Sequence, residues 1–283
     1  MKGWVNNVKK NKFEIDMCNG SIMDKLISFS LPLMVSGILQ LAFNAVDIIV
    51  VGRFSGSQAL AAVGSTTALI NVFANLFIGI SLGANVLAAR FYAAGKDREM
   101  SETVHTSITL ALISGIMMAV IGVLLAKWAL EIMGTPDDVI GQSALYMRIY
   151  FMGMPFFMLY NYGAAILRAI GDTKRPLIFL IISGIANAAL NMILVILFHM
   201  GVAGVAIGTI ISQLISCVLV LTCLYRSEGS YQLRFSKLKI NGAYMEQIFQ
   251  VGVPAGIQST VINFSNVLLQ SSVNSFGSIA MAG

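Results

Sequence analysis

A chain of 283 residues with 57% hydrophobic and 11% charged residues and a mean hydropathy of +0.81 is no ordinary soluble domain, where about a quarter of residues carry charge. The net charge of +5 does not point to nucleic acid, because no basic stripe is interleaved with exposed aromatics. The alternating pattern of a β-barrel is absent, so the composition predicts an all-α integral membrane protein.

Residues 1–25 read as a cytoplasmic leader, with Lys2, Lys9, Lys10, Lys12 and Lys25 among Glu14, Asp16 and Asp24. The apolar run that follows is too long for a signal peptide. Apolar segments long enough to cross a hydrocarbon core of about 30 Å are predicted near 26–52, 59–89, 104–126, 140–167, 177–199 and 203–225, and a seventh begins near 245. Residues 26–226 thus form a six-helix lobe. Ser227 to Tyr244 form a polar cytoplasmic linker, and 245–283 open a second lobe.

Lys and Arg alternate in density from one connection to the next. Fifteen of the 18 fall in the leader and in the connections after the second, fourth and sixth segments, and only Arg53, Lys127 and Arg148 fall on the other side. The positive-inside rule then places the N terminus in the cytoplasm, and the inner (plasma) membrane is the expected location. Residues Pro254 to Gly283 resemble Pro32 to Gly64: Pro32 matches Pro254 and Asn44 matches Asn266 at an offset of 222, and Gly56 and Gly64 match Gly277 and Gly283. Six intervening segments give both copies the same orientation, which predicts parallel repeats. The chain therefore reads as the first half of a roughly twelve-helix transporter, ending after its seventh helix.

Asp47 is the only carboxylate within the apolar segments. A charge at that depth costs about 2.5–3.5 kcal/mol on insertion scales, so its default reading is an ion, proton or substrate site. Gln40, Asn44 and Asp47 share one face of the first segment; Ser183, Asn187 and Asn191 share one of the fifth; Asn71 and Asn75 share one of the second, with Asn85 beyond. These amides are expected to aim at a common interior, with Gln40, Asn44, Asn71, Asn75 and Ser183 lining a substrate cavity. Gly79 and Gly83, like Gly204 and Gly208, form GxxxG contacts. Pro32 and Pro155 predict kinks. Met147, Met152, Met154 and Met158 read as core filling, Cys18, Cys217 and Cys223 as packing residues, and His105 and His199 as ordinary helix-end residues.

The pattern P-x7-Q-x6-D-x4-G followed by G-x2-AL-x2-VG in the first segment, ALYMRIYFMGMPFF and LRAIGDTKRP from Ala144 to Pro176, and NAALN with GVAGVAIGT from Asn187 to Thr209 resemble the multidrug and toxic compound extrusion (MATE) family. The resemblance covers nearly the whole chain. It implies two six-helix lobes working by alternating access to export cationic or amphipathic compounds in exchange for H⁺ or Na⁺, with no other cofactor and no enzymatic step. It also implies a monomer when full length. The family's cation-coupling set maps onto Asp47, Asn187, Asn191 and Thr209. Asn191 stands where the family has an aspartate, which removes one charge and one proton acceptor. Sodium held by the oxygens of these four residues and a proton on Asp47 both remain open.

A lipid-linked oligosaccharide flippase of related architecture would need several cationic side chains for pyrophosphate, whereas the midmembrane segments supply an acid and amides. A seven-helix receptor is disfavoured by the cytoplasmic N terminus and the repeat. A non-transporting fragment is the remaining alternative. No nucleophile–base pair, Walker sequence or metal-ligand cluster suggests a covalent reaction.

Overall fold

The computed structural model describes residues 21–277, and every described element is helical. Most of the 1–25 leader, Cys18, and Ser278 to Gly283 of the repeat lie outside the described residues. The helices are α1 (Ile22–Phe54), α2 (Ser57–Ala93), α3 (Asp97–Ile132), α4 (Asp137–Met152), α5 (Met154–Ala169), α6 (Lys174–Met192), α7 (Gly201–Arg226) and α8 (Gly242–Asn274). Among the described residues five helical stretches are long and apolar enough to cross a membrane: α1, α2, α3, α7 and Lys174–Leu197, which is α6 with a π-helical turn at Ile193–Leu197. The protein is a multi-pass membrane protein. At 1.5 Å per residue, 33-residue α1 is about 50 Å long, well beyond the hydrocarbon core.

The fourth predicted span, 140–167, is a broken helix. It consists of α4 and α5, 16 residues each, meeting at Gly153. Pro155 supplies no N–H and its ring crowds the carbonyl four residues earlier, so the helix ends and restarts. Gly115 of α3 admits the break, since a Cβ there would lie 2.5 Å from Pro155 Cα. The seventh segment is α8, whose Gln258, Ser259, Thr260, Asn263, Ser265 and Asn266 keep it out of the strongly apolar class despite its 33 residues.

Short reverse turns join the spans. Gly56, Gly95, Gly171 and Gly201 have positive φ, a conformation in which a Cβ is strained. At the α5–α6 turn Asp172 is fully buried. It accepts the Arg175 backbone N–H at 3.1 Å and pairs with the Arg175 guanidinium at 2.6 Å. Arg175 Nη1 also donates to Cys223 Sγ on α7 at 3.1 Å, so Cys223 is more than packing and the GDTKRP motif ties three elements together.

α8 lies along α2 and parallel to α3. At one end Asn241 Nδ2 donates to Glu102 Oε2 at 2.7 Å and the Asn241 N–H donates to Thr106 Oγ1 at 3.2 Å. At the other end Asn274 Nδ2 and Ser271 Oγ donate to the Met133 carbonyl. Gly79 and Gly83 of α2 face Gly252 and Gly256 of α8. A Cβ on Gly79 would run into the Gly256 backbone, and one on Gly83 into the Ile248 carbonyl. The GxxxG expectation at Gly79 is thus met by a second GxxxG on the partner helix, the arrangement that brings membrane helices closest together. His105 is also more than a helix-end residue. Its Nε2 accepts the Arg234 N–H at 3.1 Å while Nδ1 lies 2.6 Å from the Ser101 carbonyl, so it pins the linker to α3. His199 sits exposed in a turn with φ 53.

Candidate functional site

Asp47 lies seven residues before the end of α1, on the face turned toward α6. One turn earlier the Phe43 ring rests on Gly184 of α6, where a Cβ would overlap it. That contact seats α1 on α6. It leaves Asp47, half-buried, opposite Asn191, which is fully buried. Gly208 on α7 clears the space for the Asn191 carboxamide, since a Cβ there would strike Asn191 Oδ1. The second half of the Gly204/Gly208 pair therefore makes room for the site.

Four side chains on three helices form one hydrogen-bonded chain. Asn191 Nδ2 donates to Asp47 Oδ1 at 2.5 Å and to Asn187 Oδ1 at 3.4 Å. Asn187 Nδ2 donates to Thr209 Oγ1 at 3.4 Å, and the Thr209 hydroxyl donates to the Val205 carbonyl at 2.9 Å. Asn191 alone donates to Asp47, while Asn187 turns its N–H₂ to Thr209 and offers its carbonyl oxygen to Asn191. A hydrogen bond to a charged group contributes about 1.5–3 kcal/mol, comparable to the cost of placing a carboxylate in a spanning helix. The π-turn begins two residues after Asn191, a helix defect common beside functional groups.

Not every predicted residue joins this chain. Gln40 and Asn44 are exposed on α1 toward the side that no described helix covers. Asn71 is exposed, and Asn75 Nδ2 is turned back onto the Asn71 carbonyl at 2.7 Å. Ser183 is buried but donates to the Leu180 carbonyl of its own helix. Asn85 Nδ2 donates to the Ala165 carbonyl at 2.6 Å, bonding α2 to α5. The common interior expected for the amides is therefore divided into a tight cluster at α1–α6–α7 and separate positions elsewhere.

Three residues escaped the sequence reading. Tyr146 and Tyr150, on one face of α4 with rings 6.1 Å apart, stand close enough to Asp47 to feel its charge. Gln213 sits one turn beyond Thr209 on α7. An i, i+4 pair of tyrosines in an apolar helix, and an amide in phase with a threonine, were the available signals. Among the described residues no three His, Cys, Asp or Glu side chains cluster as a metal site. The oxygens at Asp47 suit only a hard cation or a proton.

A family model described as MatE matches residues 32–193. The probable multidrug resistance protein YoeA of Bacillus subtilis (strain 168) is 33% identical over 271 residues, covering 93% of this chain and 58% of YoeA. Two solved structures share the fold. One, described as the inward-facing conformation of a multidrug resistance MATE family transporter of the MOP superfamily, aligns with a TM-score of 0.80 at 20% identity over 91% of this chain and 59% of that one. The other, described as the outward-facing conformation of such a transporter, aligns with 0.82 at 21% identity over 92% and 58%. The chain thus spans less than two thirds of the proteins it matches.

Proposed function

Because this chain belongs to the MatE family, we propose that it forms the six-helix N-terminal lobe and the first helix of the second lobe of a secondary active efflux antiporter, exporting cationic or amphipathic compounds in exchange for H⁺ or Na⁺. The observation that carries this reading is the Asp47–Asn191–Asn187–Thr209 chain, which gathers one carboxylate and three neutral oxygen ligands in an otherwise apolar lobe. Similar fold agreement with an inward-facing and an outward-facing carrier supports a lobe that keeps its shape while access alternates.

From the outside, H⁺ or Na⁺ binds at Asp47 and neutralises it, which weakens the hold on a cationic drug. The loaded carrier turns inward, releases the cation and takes up drug. Coupling requires that the two ligands favour different conformations. Asn191 has no proton-accepting carboxylate, so in this lobe protonation centres on Asp47, while sodium would draw on the amide and hydroxyl oxygens as well. Gln40 and Asn44, on the open side of α1, are the lobe's contribution to the drug cavity. The carrier works as a monomer in the plasma membrane, with the leader and the 227–244 linker in the cytoplasm, and catalyses no covalent step.

The test is ethidium accumulation in efflux-deficient bacteria expressing the complete reading frame. Asp47→Asn at wild-type membrane abundance abolishes gradient-driven efflux. Equal pumping by the variant contradicts the proposal.

A further inference from the structure

The Asp47 cluster lies in one half of the membrane thickness, near the end of α1 and the π-turn after α6. A coupling cation that enters there must still reach the other side. One turn beyond Thr209 is Gln213, the thirteenth residue of 26-residue α7 and so near mid-membrane. Directly opposite is the break between α4 and α5, with Gly153 at the middle of the Asp137–Ala169 span.

Gln213 and the break are fitted to each other. A Cβ on Gly153 would stand 2.7 Å from Gln213 Oε1 and 2.8 Å from Ile210 Cγ1, so the missing side chain is the space the amide occupies. Gln213 Oε1 is buried yet accepts no hydrogen bond, and the same is true of Asn191 Oδ1 in the cluster above. Tyr150, one turn before the break, is hydrogen-bonded to the Gln213 side chain and lies close enough to Asp47 to feel its charge. Buried carbonyl oxygens without donors are rare in folded proteins and call for a ligand or a water. At a broken helix in mid-membrane, irregular backbone is tolerated where it lines a binding site or cavity.

We propose that Gln213, facing the Gly153 break, is the inner acceptor of the coupling cation, the station it occupies between the Asp47 cluster and the opposite side. The chemistry is that of a small monovalent cation stripped of part of its water, either sodium or a proton carried as hydronium. Neutral carbonyl oxygens hold such an ion weakly enough to release it. This inference rests on the antiporter reading and adds to it a position and a residue.

The experiment is ethidium efflux from liposomes containing the protein made from the complete reading frame, driven by a graded sodium gradient in one arm and a graded pH gradient in the other. Gln213→Leu is expected to raise the cation gradient needed for half-maximal efflux about tenfold, the scale of losing a supporting ligand, with the half-saturating ethidium concentration unchanged. Gly153→Ala, whose methyl displaces the amide, reproduces the shift. Gln213→Glu retains an oxygen ligand and keeps the cation response. The arm that responds identifies sodium or the proton as occupant. Wild-type cation dependence in Gln213→Leu overturns the inference, as does equal loss in the Leu and Glu variants, which would make Gln213 a packing residue. Loss of coupling in Asp47→Asn alone would leave the antiporter reading intact. A wild type indifferent to both gradients removes the reading and the inference together.

Discussion

Asp47 survives in an apolar helix because Asn191 is aimed at it, and Asn191 is aimed because Asn187 and Gly208 fix its carboxamide from two sides. Replacing Asn191 with Leu removes the only side-chain donor to Asp47 among the described residues and should lower stability by about 1.5–3 kcal/mol, read as a lower unfolding temperature in detergent. An unchanged unfolding temperature would show that the Asp47–Asn191 bond is not made in the folded protein. At this scale the sequence was partly legible. The spacing of Asn187 and Asn191 put both on one helix face, and the family resemblance supplied their association with Asp47 and Thr209. Gln213, Tyr146 and Tyr150 were not legible, because their part in the site depends on where the α4–α5 break sits against α7, a tertiary fact that no periodicity within one segment encodes.

Glycines set the distances between elements. α8 can lie against α2 only because Gly79, Gly83, Gly252 and Gly256 remove four side chains from the seam, and α1 sits on α6 only because Gly184 receives Phe43. A Gly83→Leu substitution would force the helices apart, with an overpacking cost of about 1–3 kcal/mol. It should leave α8 more open to proteolysis and hydrogen exchange, and wild-type protection of α8 in that variant would show that the seam is not close-packed. The sequence revealed the GxxxG on α2 but not its mate, since Gly252 and Gly256 flank Pro254 in a helix of low apolarity. Segment number and order were readable from hydropathy because lipid demands long apolar runs. The break at Gly153 blurs that signal, because the two short helices still read as one apolar run.

Among the described residues there are seven helical passages if α4 and α5 count as one, and α8 begins on the side where α3 begins. That parity is the one expected from two parallel repeats, and α1 and α8 match further in their equal length and internal proline. The proposed orientation, with the Lys- and Arg-rich linker in the cytoplasm, follows the positive-inside rule. In a background with Cys18, Cys217 and Cys223 changed to Ser, an impermeant maleimide applied to intact cells should label Asp138→Cys, exposed at the start of α4, and spare Ser236→Cys, exposed in the linker; the reverse pattern would invert the orientation. Exposed apolar residues such as Leu31, Met34, Ile38 and Leu41 leave α1 the least covered of the long spans, and Gln40 and Asn44 lie on that open helix.

Exchange of a drug for a cation through Asp47 can be read by counterflow. Liposomes holding the protein from the complete reading frame are loaded with ethidium and diluted with no ion gradient imposed, while sodium entry and internal pH are recorded together. Ethidium leaving is expected to drive one of the two cations inward, and Asp47→Asn to abolish this movement. Ethidium exit without cation entry, or cation entry unaltered in Asp47→Asn, would contradict that exchange.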